Sequence, residues 1–201
     1  MTPQLIKACT GADLTLATKY APFLTEAMTQ YGVDTAVRQT AFLAQLGHES
    51  GGLQWFHELW GPTSSQMRYE RSMVEPWPTS PTEANDPKFD RNRLAYTLGN
   101  DHPGDGRHFA GRGPIQITGR TNYRLIGSVM GLSLEENPAL LDDSRNACLS
   151  AGAFWKLKGC NTFADAGDFI GLTKRINGGS NGLADRQLRW ARAKLALNIA
   201  T

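Results

Sequence analysis

Apolar residues at helical spacing, followed by two glycines, constrain the first quarter of the chain most strongly. Between Asp34, which can cap a helix, and His48, apolar side chains recur at three- and four-residue intervals and so share one helical face. Gly51 and Gly52 permit the backbone turn that ends a helix. The pattern predicts a helix over this segment with Glu49 in its last turn.

Helical patterns continue through most of the chain. They predict two short helices within 1–32 and further helices at 66–74, 91–98, 122–130, 144–157, 163–176 and 184–197. Residues 60–108 are rich in proline and polar side chains, which predicts a loop-rich insert or small lobe within a single domain spanning 1–201. The predicted fold class is therefore mainly α, with at most a small β-hairpin.

One stretch near the middle of the chain departs from helical spacing. Ile115 and Ile117 alternate with Gln116 and Thr118, which is the period of an extended strand. The alternation predicts that the isoleucines are buried and that Gln116 and Thr118 face solvent or ligand. A glutamine amide suits a sugar hydroxyl or N-acetyl group, and a threonine hydroxyl can hold a water.

Composition excludes several classes of protein. No apolar run is long enough to span a membrane, and the first residues lack the apolar core of a signal peptide, so we expect folding in a cytoplasm. Three cysteines without metal-binding spacing predict free or buried thiols. Residues after His108 carry 12 basic and 7 acidic side chains, against 9 and 12 up to that point. This asymmetry suits an anionic polymer and is too weak to predict nucleic-acid binding.

Glu49 and Glu58 carry the chemical prediction. Glu49 lies at the negative end of the helix dipole, and Phe42, Gln45 and Leu46 on the same face would desolvate it, so its pKa is predicted to be raised. A carboxylic acid that stays protonated near neutrality can protonate a leaving oxygen. The glycine pair lets the chain return Glu58 towards Glu49, and two facing carboxylates suggest glycoside hydrolysis.

Several short motifs stand in order along the chain. They are His48-Glu49-Ser50-Gly51-Gly52, Glu58, Gly111-Arg112-Gly113-Pro114-Ile115-Gln116-Ile117-Thr118, Asn122-Tyr123, Ile176-Asn177-Gly178-Gly179 and Ala184-Asp185-Arg186. In order and spacing they resemble glycoside hydrolase family 19, in particular its phage and bacterial endolysin branch. The resemblance covers about residues 36–197. It implies a lysozyme-like helical catalytic domain with a two-lobed groove, one wall formed by residues 60–108, and no metal or cofactor.

The resemblance also implies roles for individual residues. Glu49 would be the general acid and Glu58 the general base of an inverting reaction, while Thr118 would help to hold the attacking water. Glu70 and Glu75 in the insert are alternative bases. The predicted substrate-binding residues are Gln116, Asn122, Tyr123, Asn177, Arg186, His48 and Trp60. Among them, Arg186 would organise the two acids and Trp60 could stack on a sugar.

Departures from plant members of the family favour one substrate. Plant chitinases of this family have an acidic residue where this chain has Asn181, and their disulfide-forming cysteines do not match. The prediction is an endolysin-type enzyme that cleaves the β-1,4 bond between N-acetylmuramic acid and N-acetylglucosamine in bacterial peptidoglycan. We expect a monomer that waits in the host cytoplasm for release to the cell wall at phage lysis. Its basic last helix, with Arg186, Arg189 and Arg192, could make weak contact with an anionic surface.

Three other functions stay open at this point. A chitinase acting on N-acetylglucosamine polymers would use the same sugar-binding residues. A zinc peptidase is suggested by two His-Glu pairs, but Gly52 stands where the HExxH pattern needs its second histidine. His102 and His108 could complete a metal site with His57. A non-catalytic wall-binding module would stack sugars on tryptophans such as Trp55, Trp60 and Trp77.

Overall fold

The computed structural model describes residues 1–199, which are mainly helical. The α-helices of this described part are α1 (Pro3–Thr10), α2 (Leu14–Gln30), α3 (Ala36–Glu49), α4 (Ser64–Met67), α5 (Asp90–Leu98), α6 (Asp105–His108), α7 (Arg120–Met130), α8 (Ser144–Leu157), α9 (Cys160–Asp165), α10 (Phe169–Asn177) and α11 (Leu183–Ala196). Short 3₁₀ helices cover Glu83–Asn85, Pro87–Phe89 and Pro138–Asp142. Extended pairing in residues 1–199 is limited to isolated bridges, His57 with Arg112 and Arg112 with Ile117. The mainly α fold class is confirmed.

The chain divides into two compact units. The first comprises Met1–Phe56, Gly113–Ile115 and the segment from Leu141 onward, and the second comprises His57–Arg112 and Gln116–Leu140. Residues 60–108 thus lie within the second unit, which also holds α7. The assignment of 1–201 to one catalytic domain, with 60–108 as one wall of a groove, stays a prediction.

Helix α3 lies at the centre of the first unit, where it packs against α1, α9 and α11. Thr35 caps its N-terminus through a hydrogen bond from the backbone N–H of Arg38, so the cap is one residue later than the predicted Asp34. Phe42 and Leu46 are fully buried. A Cβ at Gly47 would collide with the backbone of α1, so the glycine permits close packing of the two helices. This packing fixes the end of α3, where Glu49 lies.

Two sequence-based expectations about the elements are wrong. The predicted helix at 163–176 is two helices, α9 and α10, separated at Gly167 because its backbone is left-handed there (φ 69°). The predicted helix at 66–74 is reduced to the single turn of α4. On α11, Leu188 and Leu195 are 50% and 69% exposed, whereas Arg186 is buried.

The three cysteines are free and buried, as predicted. Burial raises the pKa of the Cys9 thiol to about 11 and that of Cys160 to about 12, so neither is a nucleophile near neutral pH. No helix within residues 1–199 combines the length and the apolar character needed to cross a membrane.

Candidate active site

Glu49 is the last residue of α3 and is held by a buried cation. Its Oε1 accepts a hydrogen bond from Nη2 of Arg186 at 2.5 Å. Arg186, in the first turn of α11, is only 2% exposed. Its Nη1 donates to Oε1 of Gln45 at 2.5 Å, and its Nε donates to the carbonyl of Asn181 at 3.1 Å. The guanidinium is therefore fixed on three sides, and it fixes the Glu49 carboxylate in turn.

Glu49 is surrounded by polar groups as well as by the residues expected to desolvate it. Phe42 and Leu46 point into the core and are fully buried. Gln45 is also buried, but its amide joins Arg186 to the hydroxyl of Thr173, to which Nε2 donates at 3.0 Å. The side chain of Glu49 is 20% exposed, and beside the neighbours expected to desolvate it a helix distant in sequence supplies a charged partner.

The residues that precede Glu49 and Arg186 also form a pair. Nδ1 of His48 lies 2.7 Å from Oδ2 of Asp185, and Nε of Arg189 donates to the same oxygen at 2.7 Å. Burial acts to raise the pKa of Asp185, but the hydrogen bonds from Arg189 and His48 outweigh it, and the pKa lies below its ordinary value. Two consecutive residues of α11 thus hold the last two residues of α3.

Glu58, in the second unit, has a donor on each carboxylate oxygen. The backbone N–H of Gly111 donates to Oε2 and Nε2 of Gln66 donates to Oε1, both at 3.1 Å. The backbone N–H of Glu58 donates back to the carbonyl of Gly111 at 2.8 Å. Gln66 is buried, and its Oε1 accepts from the backbone N–H groups of Gly61 and Thr63. The loop that carries Glu58 is therefore tied at several points.

Residues 112–117 form a turn, and the predicted extended strand is wrong. Arg112 and Ile117 exchange backbone hydrogen bonds at 3.1 and 2.8 Å, and Gln116 between them has a left-handed φ of 53°. Ile115 and Ile117 are nevertheless buried, while Gln116 and Thr118 are half-buried. The predicted sorting of apolar and polar side chains is confirmed although the backbone that produces it differs.

Gly111 is the point around which three predicted site residues of the second unit meet. A Cβ built on this glycine would lie 2.6 Å from Oε1 of Gln116, 3.2 Å from Oγ1 of Thr118 and 3.3 Å from Oε2 of Glu58. The Thr118 hydroxyl also donates to the carbonyl of Gln116 at 3.0 Å. A carboxylate, a hydroxyl and an amide oxygen thus surround the small opening that the missing side chain of Gly111 leaves.

The other predicted substrate-binding residues lie in different settings. Asn122 is half-buried, and its Nδ2 donates to the carbonyl of Thr118 at 2.7 Å. Asn177, the last residue of α10, is exposed. Trp60 is half-buried and lines a cavity of about 510 Å³.

Tyr123 does not fit the predicted role in substrate contact. Its side chain is fully buried, its hydroxyl donates to the carbonyl of Ala110 at 2.7 Å, and Nη1 of Arg112 donates to that hydroxyl at 2.9 Å. A fully buried ring cannot touch a glycan. Tyr123 therefore supports the segment that contains Gly111, and the prediction of direct binding is corrected.

The alternative bases and the alternative metal site have other partners. The carboxylate of Glu70 accepts from the backbone N–H groups of Gly104 and Arg107, at 2.9 and 3.0 Å. Within residues 1–199 the side-chain group that could hold a metal ion is Asp101, His102 and Asp105, and Arg120 already pairs with Asp105 at 2.6 Å. The group contains His102, but it includes neither His57 nor His108, the other histidines of the expected metal site, and it does not include His48.

Sequence reasoning missed two residues beside Glu58. Gln66 was detectable, because Thr63 and Gln66 stand at the spacing of a capping box, which the structure contains. Tyr69 gave no such signal. Burial, with a smaller contribution from the negative charge of Glu58, raises its pKa.

Comparison with known proteins gives consistent matches. A family model described as "Chitinase class I", of glycoside hydrolase family 19, matches residues 12–162. A "Glycosyl hydrolase family 19 domain-containing protein" of Haemophilus influenzae is 36% identical over 163 residues, covering 77% of this chain and 78% of that protein. An endochitinase of Arabidopsis thaliana is 28% identical over 155 residues, and the match spans only 44% of the plant enzyme's length.

Solved structures share the fold. Chitinase C from Streptomyces griseus superposes with a TM-score of 0.70 at 20% sequence identity, over 98% of this chain and 92% of that one. A bacterial family 19 chitinase superposes with a TM-score of 0.68 at 21% identity. At this identity the likeness establishes a common lysozyme-like helical fold.

Proposed function

The chain belongs to glycoside hydrolase family 19, and from this premise we propose that it cleaves the β-1,4 bond between N-acetylmuramic acid and N-acetylglucosamine in peptidoglycan. The proposal rests on two carboxylates. In the first unit Glu49 accepts a hydrogen bond from Arg186, and in the second unit Glu58 accepts hydrogen bonds from Gln66 and Gly111. Each carboxylate is held by fixed hydrogen-bond donors. Acid/base catalysis by two carboxyl groups with separate roles requires that each be held in position.

The proposed reaction is an inverting hydrolysis. Glu49 donates its proton to the glycosidic oxygen as the bond from that oxygen to the anomeric carbon breaks. Glu58 removes a proton from a water that attacks the anomeric carbon from the opposite face. Such a reaction needs the two carboxyl groups roughly 6.5–9.5 Å apart in the complex with substrate, so that the water fits between them.

Thr118 and Gln116 would act next to the base. Their polar atoms surround the same opening at Gly111 as the Glu58 carboxylate, which supports a role in holding the water and the N-acetylated sugar. Asn122, which is bonded to the carbonyl of Thr118, would position this segment, and the exposed Asn177 would bind sugar from the first unit. Trp60 would provide a stacking face, since its ring lines a cavity.

Chitin hydrolysis is the second candidate function. It is favoured by the relatives, because the Arabidopsis and Streptomyces proteins are chitinases. Peptidoglycan is favoured by two departures from the plant pattern. A backbone carbonyl, that of Asn181, accepts from Arg186 where plant enzymes have an acidic residue, and the three cysteines are unpaired.

The biological setting belongs to the same proposal. The enzyme would act as an endolysin that accumulates in the host cytoplasm as a monomer and reaches the wall at phage lysis. Weak contact of α11 with an anionic surface would depend on the exposed Arg192, since Arg186 and Arg189 are bonded to Glu49 and Asp185.

The deciding experiment is mass spectrometry of fragments released from purified peptidoglycan, with chitin oligomers digested in parallel. We expect new reducing ends on N-acetylmuramic acid, and no products from Glu49→Gln or Glu58→Gln. Both substitutions keep the side-chain shape, so the variants should fold cooperatively and still bind the wall, with Glu49→Gln unfolding at a lower temperature because the buried Arg186 loses its counter-charge.

Each other result would change the proposal in a defined way. Products from chitin alone would establish the chitinase alternative. Peptide-bond cleavage that survives in Glu49→Gln would refute a glycosidase mechanism at this site. Full activity of Glu58→Gln would show that Glu58 is not the general base.

A further inference from the structure

Two adjoining cavities in the second unit are bordered by arginines. Their volumes are about 510 and 600 Å³, and both are lined by Met67 and Glu70. The first also contains Trp60. The arginines that line the cavities are Arg107 and Arg112 for the first and Arg68, Arg71 and Arg91 for the second.

The charge of these walls is mainly positive, because five guanidiniums face one carboxylate. That carboxylate, Glu70, already accepts hydrogen bonds on both oxygens from backbone N–H groups of 104 and 107. Arg91 is paired with Glu75 at 3.4 Å, and Arg71 donates to a backbone carbonyl and stacks on Trp77 at 5.0 Å. Arg68 and Arg107 are exposed. The arrangement suits a ligand that carries more than one carboxylate.

Residues that line the cavities lie next in sequence to Glu58 or to the residues that donate hydrogen bonds to it. Trp60 follows Glu58 by two positions, and Met67 follows Gln66, whose amide donates to the Glu58 carboxylate. Arg112 follows Gly111, whose N–H donates to the same carboxylate. A branch leaving a sugar bound beside Glu58 would therefore meet these walls within a few residues of the base.

We propose that the two cavities bind the acidic peptide that muramic acid carries on its lactyl group. This inference rests on the proposed function, since chitin has neither the branch nor a carboxylate. Guanidinium and carboxylate groups form planar paired hydrogen bonds, and each cavity has the volume of an ordinary small-ligand site. The cavities would thus distinguish peptidoglycan from chitin while Glu49 and Glu58 perform the same chemistry on either.

The test compares one variant on two forms of one substrate. Arg68→Ala/Arg107→Ala removes one exposed guanidinium from each cavity and leaves every bond to Glu58 in place. Initial rates are measured on intact peptidoglycan and on glycan strands stripped of their peptides by an amidase. Arg124→Ala is the matched control, because Arg124 is an exposed arginine of α7 that lines neither cavity.

We expect kcat/KM of the double variant to fall about fivefold on intact peptidoglycan, because one exposed ion pair contributes a factor of roughly 1.4 to 5. Its activity on stripped strands should equal that of the wild type, as should the activity of Arg124→Ala on both forms. Equal loss on both forms, or no loss on intact peptidoglycan, would overturn the inference and leave the proposed function standing. Failure of the wild type to cleave either form would instead refute the proposed function, and this inference with it.

Discussion

Replacing Gly111 with alanine tests whether Glu58, Gln116 and Thr118 act together. The added Cβ would lie 2.6 Å from Oε1 of Gln116, and an ordinary contact begins near 3.4 Å, so this amide must retreat by about 0.8 Å. Oγ1 of Thr118 and Oε2 of Glu58 need shifts of only about 0.1 to 0.2 Å. The backbone N–H and carbonyl that bind Glu58 are unchanged by the substitution.

The expected result is a large loss of rate with little loss of stability. Misplacement by about 1 Å of a group that positions the substrate can cost about 100-fold, so we expect kcat to fall roughly 10- to 100-fold, or about 1.4 to 2.7 kcal/mol. The atom that must move is the end of a flexible, half-buried side chain, so the free energy of unfolding should change by less than about 1 kcal/mol. Turnover of purified wall or chitin oligomers and denaturant unfolding would measure the two effects.

The matched control for this variant is Gly61→Ala. Gly61 lies on the same loop as Glu58, its φ is not left-handed, and no atom lies within 4 Å of an added Cβ. Wild-type turnover is therefore expected. Wild-type turnover of Gly111→Ala, or unfolding of that variant at room temperature, would refute the reasoning that Glu58, Gln116 and Thr118 act together in one site.

Two further substitutions test the first unit. Arg186→Met should destabilise the fold by roughly 3 kcal/mol, since it leaves the mostly buried Glu49 and Gln45 without their donor, and adding Glu49→Gln should recover part of that loss in thermal unfolding. Asp185→Asn should reduce stability by less than about 1 kcal/mol near pH 7, because the carboxylate is 44% exposed. The pKa of Asp185 is lowered by folding, so its contribution is present above the ordinary aspartate pKa and lost as pH falls through the folded value. The difference between wild type and Asp185→Asn should therefore shrink in urea unfolding near pH 3. No recovery in the first case, or a constant difference in the second, would contradict these assignments.

Local sequence patterns predicted many of the elements. Helix α8 was expected at 144–157 and found at Ser144–Leu157, and α11 differs from its predicted bounds by one residue at each end. Periodicity succeeds here because burial of one face sets both the spacing of apolar residues and the packing of the helix. It failed at 163–176, where a left-handed glycine within an otherwise continuous pattern divides the segment into two helices.

The residues of the candidate site were predicted, and so was a role for Arg186 beside the acids, but the other contacts were not. The family motifs pointed to Glu49, Glu58, Thr118 and Arg186 before any geometry was known. They could not show that Gln45 and Arg186 join in one buried hydrogen-bond network beside Glu49, because Arg186 is 137 residues from Glu49 in sequence. A surface-like arginine pattern on α11 gave no sign that one member would be fully buried.

The sequence by itself determined the mainly helical class and the ends of the principal helices, and it supplied Glu49 and Glu58 as candidate acid and base, because these depend on local spacing, glycine positions and motif order. The tertiary structure alone decided what each acid touches. Buried polar side chains must find partners wherever packing brings them, and that choice depends on contacts between distant segments. Three features arise from such distant contacts. They are the hydrogen bond from Arg186 to Glu49, the hydrogen bond from Gln66 to Glu58, and the opening at Gly111.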